Sequence, residues 1–156
     1  MFTLYELGDT DDTQVRVIGS ISDMLLAEDG AQALIDKLAS PQIRIVSLTI
    51  TEGGYCIDDS NGEFMAHLPQ IQHDLAHPRA PKTVFGFICA ALTQRRAAGT
   101  PAFTVMSCDN LPHNGAVTRK ALLAFAALHD AGLHDWIKAN VSFPNAMVDR
   151  ITPMTS

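Results

Sequence analysis

Residues 102–132 read AFTVMSCDNLPHNGAVTRKALLAFAALHDAG, and the order of their parts decides the fold. Ala102 to Ser107 is a short apolar run rich in strand formers, while the residues after Asn114 set Ala, Leu and Phe three and four apart up to a stop at Gly132. A strand thus feeds a helix through a polar corner, Ser107 to Gly115. Asn114 is suited to cap that helix, because its amide oxygen can accept an N–H that the first turn leaves without an intrahelical partner.

Working outward, KTVFGFICAALTQRRAAG at 82–99 repeats the helical spacing, with Pro81 at its start, basic residues in its last turn and Gly99 as its stop. IRIVSLTI at 43–50 is β-branched and nearly uncharged, the pattern of a strand buried on both faces, and NVSFP at 140–144 supplies a third β run. HDWIKA at 134–139 adds a further helical turn before it. Strands at 43–50, 102–107 and 140–143 alternating with helices make a β-α-β-α-β unit, half of a doubly wound nucleotide-binding sheet. Before it come FTLYEL and QVRVIGS, joined by GDTDDT as a β-hairpin, then a turn near Asp23 and a helix over about Gly30 to Ala39. The proline-punctuated stretch Asp58 to Pro81 reads as a loop holding a short helix or two. The fold class is α/β, mostly parallel, with an N-terminal hairpin.

Composition narrows the function. A chain of 156 residues that is 47% hydrophobic and 18% charged suits one folded domain. Its net charge of -6, with the eleven Lys and Arg scattered, gives no basic stripe for a phosphate backbone, so nucleic acid is not expected as a partner. No uncharged run approaches the roughly 18 residues of a membrane span, and MFTLYELGDTDD lacks the basic start and apolar core of a signal peptide, which together point to the cytoplasm. Cys56, Cys89 and Cys108 show no CxxC spacing and read as reduced thiols, Cys108 as a half-buried structural one.

Ligands in open α/β sheets bind beyond the carboxyl ends of the strands, and here those ends read TEGGY, SCDNLPHNG and FPNAMVDR. The GxGxxG pyrophosphate pattern is absent: Gly53-Gly54 follows a strand but lacks the next glycine and an immediate helix. His67, His73, Asp74 and His77 crowd together in a proline-punctuated stretch that reads as loop, so no metal is expected. No GxSxG elbow or Walker loop occurs.

Taken together, SLTITEGGY at 47–55, SCDNLPHNG at 107–115 and SFPNAMVDRITP at 142–153 resemble the polyol-specific long-chain dehydrogenase/reductase family, the mannitol dehydrogenases, over essentially the whole chain. The resemblance implies a Rossmann-like doubly wound domain and metal-independent, NAD-linked exchange of hydride between D-mannitol and D-fructose. It also implies that residues 1–156 are an interior part of the N-terminal cofactor domain. The family's first glycine-rich βαβ unit would then precede Met1, and its catalytic lysine, in a C-terminal helical domain, would follow Ser156. NADP stays open, because the acidic residue that selects between the cofactors belongs to the absent unit. Intact relatives are expected to be monomeric, whereas a truncated sheet has open edges through which the piece can self-associate.

Residue by residue, the family's catalytic asparagine matches Asn110, whose carboxamide is implied to stabilise the alkoxide oxygen at the reacting carbon and to touch the cofactor. Asp149 is implied to orient polyol hydroxyls or catalytic groups, and Thr51, Glu52 and Val148 to line the nicotinamide side of the cleft. Asn114 and Gly115 are read as architectural, His113 as a solvated loop imidazole, and Asp109 has no assigned role. The competing readings are a fructuronate reductase, an arabinitol dehydrogenase, or a non-catalytic binding module that kept only the sheet.

Overall fold

Parallel pairing needs a connection long enough to return the chain, and the helices between the short β-branched runs supply one; the parallel arrangement is found. The computed structural model describes residues 2–7, 13–21, 23–58 and 60–148. Strands β1 (Phe2–Leu7) and β2 (Thr13–Ile18) form the expected antiparallel hairpin, with Tyr5 opposite Val15. The joint at 8–12 lies outside the described residues. Leu4, Tyr5, Val15 and Val17 are all exposed, so these four side chains rest on none of the core. A single 3-10 turn follows at Ala27–Asp29, a little beyond the turn expected near Asp23, and α1 runs over Ala31–Ala39 with Ile35 buried against α4.

The parallel pair is β3 (Ile45–Leu48) and β4 (Thr104–Ser107), in register from Ile45 opposite Thr104 to Leu48 opposite Ser107. Three corrections concern this sheet. β3 is shorter than the expected 43–50, and its burial is one-sided: Leu48 is buried but Ile45 is 59% exposed, since no described strand lies beyond it. The third β run does not become a strand. Val141 to Phe143 lies beside β4, fixed by the Val105 N–H donating to the Ser142 carbonyl at 3.0 Å, without forming a ladder. Finally, a one-turn helix α2 (Thr51–Gly54) does follow β3 directly, although it is far shorter than the phosphate-binding helix of a GxGxxG unit.

Within the loop region, α3 (Pro69–Ala76) is the expected short helix. The next helix, α4 (Val84–Ala97), starts after Thr83 rather than at Pro81, because the Thr83 hydroxyl accepts the Gly86 N–H at 3.2 Å and caps it. α4 is apolar nearly all round and is the centre of the core: Phe85, Ile88, Ala91 and Leu92 pack with Leu48, Phe103 and Val105 of the sheet layer and with Leu122 and Phe125. The helix expected to run up to Gly132 ends earlier, as α5 (Asn114–His129), and the further helical turn expected at 134–139 is part of a second helix, α6 (Ala131–Asn140). Asp130 divides them, its Oδ1 accepting the Gly132 and Leu133 N–H groups at 2.7 and 3.1 Å, the local competition with helix geometry typical of aspartate. Arg95, 2% exposed, has no carboxylate partner; its guanidinium donates to the carbonyls of Leu38, Ile43 and Pro101 and stacks on Phe103. It thereby fastens the end of α1 to the start of β4. No described helix is long and apolar enough to cross a membrane.

Candidate functional site

A parallel ladder ends where the strands diverge, and the last rung here is the Cys108 N–H donating to the Leu48 carbonyl at 2.8 Å. Beyond it, the Ile50 and Thr51 N–H groups have no strand opposite. The Asp109 carboxylate takes both, Oδ2 from Ile50 and Oδ1 from Thr51, each at 3.0 Å. The buried Tyr55 hydroxyl donates to Oδ2 at 2.6 Å and lies 2.6 Å from Ser107 Oγ, which in turn accepts the Asp109 N–H at 3.3 Å. Since the phenol has one proton and gives it to Asp109, the Ser107 hydroxyl must donate to Tyr55. Burial, and then the hydrogen bond to Asp109, push the Tyr55 hydroxyl up to about 12. Burial alone would raise Asp109, but hydrogen bonds from Tyr55, Ile50 and Thr51 outweigh it and hold the carboxyl below the ordinary range. At neutral pH the pair is therefore a neutral donor and an ionised acceptor, which the geometry requires.

Backbone strain gathers at the same end of the sheet. Among the described residues three non-glycine positions have positive φ: Thr51 at 59°, Cys56 at 53° and His113 at 54°. All three lie in the two loops that follow β3 and β4. A β-branched residue such as Thr51 is especially disfavoured there, and such conformations persist only where surrounding bonds over-determine them.

The start of α5 corrects the expected cap. His113, exposed, occupies the N-cap position and makes no side-chain cap, while Asn114 is the first helical residue and is buried. The Asn114 carboxamide behaves like a strand partner: its Nδ2 donates to the Ala146 carbonyl at 2.7 Å, and its Oδ1 accepts the Ala146 N–H at 2.9 Å. The same Nδ2 lies 3.2 Å from the Asp109 carbonyl. Next to it, the Gly115 N–H donates to Asn145 Oδ1 at 2.9 Å. A side chain at 115 would overlap the Pro144 and Phe143 carbonyl oxygens at 2.5 and 2.6 Å, so glycine is required by close approach rather than by its dihedral freedom. These contacts fasten 143–148 against the corner and leave a cleft of about 490 Å³ between Asp109–Pro112 and Asn145–Val148.

Asn110 is exposed in that cleft, with no hydrogen bond from its carboxamide among the described residues, and Val148, 41% exposed, lines the opposite wall. Thr51 and Glu52 are both exposed, Glu52 on the far side of Leu111 and Pro112. Glu52 lines a recess of about 150 Å³ there, with Tyr55 and Val117, that shares those two residues with the main cleft. Asp149 lies outside the described residues. Sequence reasoning missed Asp109, Tyr55 and Asn145 as the framework of the site and read Asn114 as architectural but in the role of a cap; the one available signal for Asp109 was a carboxylate directly after a strand. Cys108 is half-buried and His113 solvated, as expected. His73 and His77 stack at 4.7 Å, with His73 Nδ1 3.2 Å from Asp74. Among the described residues no group of three His, Cys, Asp or Glu is placed to hold a metal ion.

Comparison with known proteins gives this geometry a context. The family description "Mannitol dehydrogenase Rossmann domain" matches residues 2–156. A solved ternary complex of Pseudomonas fluorescens mannitol 2-dehydrogenase with NAD and D-mannitol superposes with a TM-score of 0.86 at 94% identity, over 99% of this chain and 32% of that one. Mannitol 2-dehydrogenase of Cereibacter sphaeroides is 55% identical over 91% of this chain and 30% of its own length. Polyol:NADP oxidoreductase of Gluconobacter oxydans is 49% identical over 100% of this chain and 32% of its own. The chain thus spans about a third of the length of the relatives it matches.

Proposed function

From the premise that this chain belongs to the mannitol dehydrogenase family, matched over residues 2–156, we propose that it is part of the cofactor domain of an NAD-dependent polyol dehydrogenase interconverting D-mannitol and D-fructose. In this reading a glycine-rich βαβ unit and a helical domain carrying the catalytic lysine come from elsewhere in a longer, cytoplasmic protein. The observation that carries it is the unpartnered Asn110 carboxamide in a cleft at the carboxyl ends of parallel strands. The identity of 94% to a protein solved with NAD and D-mannitol supports the choice of substrate and cofactor.

The residues present fit the nicotinamide end of such a cofactor: a free carboxamide and an apolar wall at Val148 line the cleft, and Glu52 lines the recess that shares Leu111 and Pro112 with it, next to the exposed Thr51. Bound NAD supplies the hydride acceptor. Asn110 donates an N–H to the oxygen on the carbon that loses hydride, stabilising alkoxide more than alcohol, where a carboxylate would repel it. Val148 keeps water from that carbon. Asp149 orients the substrate hydroxyls, and Thr51 with Glu52 closes the nicotinamide side.

The test is Asn110→Ala in an intact enzyme carrying this segment. Loss of one such donor lowers turnover by about 10²–10³-fold, with NAD affinity retained. Unchanged turnover removes the oxyanion role, and loss of NAD affinity alone makes Asn110 a cofactor ligand instead. NADP is the second reading, on the strength of the Gluconobacter relative's name; comparing the two cofactors in the same assay decides it. No turnover with either cofactor and any polyol would favour the non-catalytic module.

A further inference from the structure

We infer that Asp109 is the positioning residue of this site: its carboxylate forms an extra rung between the ends of β3 and β4 and sets the Thr51–Glu52 turn against Asn110, controlling turnover rather than cofactor affinity. This deepens the dehydrogenase reading and rests on it.

The bonding is specific to that task. The two N–H groups Asp109 accepts, from Ile50 and Thr51, are the first past the last ladder bond, and the Tyr55 hydroxyl fixes the same carboxylate from the third side. The second of those N–H groups belongs to Thr51 itself, whose φ is 59°, so the carboxylate is bonded directly at a strained residue. Its address matters equally. Asp109 is the peptide neighbour of Asn110 and lines the main cleft, whereas Tyr55 lines the recess that holds Glu52. One side chain therefore spans the two halves of the candidate site, which chain connectivity leaves 58 residues apart at Thr51 and Asp109. The nearest structural alternative, a bond network that only stabilises, does not account for why the strained residue and the two cleft-lining halves meet at this carboxylate.

Asp109→Asn keeps the shape but replaces one acceptor oxygen with an N–H₂, which must face a donor: Thr51 on one side, or Ile50 and Tyr55 on the other. In an intact dehydrogenase carrying this segment, kcat for mannitol oxidation should fall by about 30-fold or more, the loss expected of a misplaced reacting group, while the Kd for NAD stays within about threefold. Amide exchange at Ile50 and Thr51 should quicken by about tenfold or more. Tyr55→Phe, which removes one donor and leaves the backbone bonds, should lower kcat by about 3- to 10-fold. A kcat per folded molecule within twofold of the parent overturns the inference, as does a loss of NAD affinity that matches the loss of turnover. If Asp109→Asn does not fold, Tyr55→Phe decides by the same kcat criterion. If the parent turns over no polyol, the dehydrogenase reading fails separately, and the exchange rates at Ile50 and Thr51 then score the clamp: unchanged rates overturn it.

Discussion

Asp74 and Asp109 are bonded almost alike and do different things. Asp74 accepts the Lys82 and Thr83 N–H groups at 2.7 and 2.8 Å and the Thr83 hydroxyl at 2.6 Å; Asp109 accepts the Ile50 and Thr51 N–H groups and the Tyr55 hydroxyl. Yet Asp74 is 1% exposed and joins residues eight and nine positions away, fixing the loop that leads into α4, with no positive-φ side chain nearby. Asp109 lines a cleft, reaches across 54 to 59 residues and holds a strained threonine. The same three-donor chemistry is thus local architecture in one place and alignment of a site in the other; sequence separation and address, rather than bond count, distinguish them.

That contrast breaks if the two carboxylates respond alike to truncation. Asp74→Ala should have the larger effect on stability: it takes the buried acceptor from two N–H groups and a hydroxyl, at a cost of at least about 3 kcal/mol. Turnover per folded molecule should be unchanged. A denaturant titration paired with an active-site-normalised assay checks both halves, and a stable but slow Asp74→Ala would erase the distinction. Gly115→Ala comes next. Its Cβ must displace the Phe143 and Pro144 carbonyls, an overpacking that costs about 1–3 kcal/mol. Because 143–148 is the far wall of the cleft, turnover should fall as well, unlike in Asp74→Ala. A thermal midpoint lowered with turnover intact would detach that wall from the chemistry.

The legible features were those set by residues close in sequence. The 3.6-residue spacing located α1 and α4 to within a few residues, and alternation located the hairpin. The resemblance carried by three strand-end motifs named the family that the comparison shows. What stayed hidden depends on partners far along the chain or absent from it. Ile45 reads as core from its neighbours but is exposed because nothing described pairs beyond β3. Asn114 has the composition of a cap, and only the arrival of Ala146, 32 residues later, turns its amide to another use. Asp130 falls inside the stretch read as one helix up to Gly132, but its side chain caps α6, whose Leu133 and Ile137 are buried. Asp109 could not be assigned, since its three donors arrive from a loop more than fifty residues earlier.

The smallest expected effect is also the one that isolates charge from shape at Asp109. Its carboxyl is held below the ordinary range in the folded protein, by the Tyr55, Ile50 and Thr51 hydrogen bonds working against burial. A depressed carboxyl contributes stability that is fully present above its unfolded value, about 3.9, and is lost as pH falls through the folded value. Asp109→Asn lacks that contribution at every pH. The stability gap between parent and variant should therefore be constant from neutral pH down to about 4 and close progressively below it, as the parent's carboxyl takes up the proton that makes it resemble the amide. Asp109→Asn measured against the parent by chemical denaturation at a series of pH values reads this directly. A gap that widens in acid would mean the carboxyl is raised rather than lowered, and that burial, not the donors at Ile50, Thr51 and Tyr55, governs the corner.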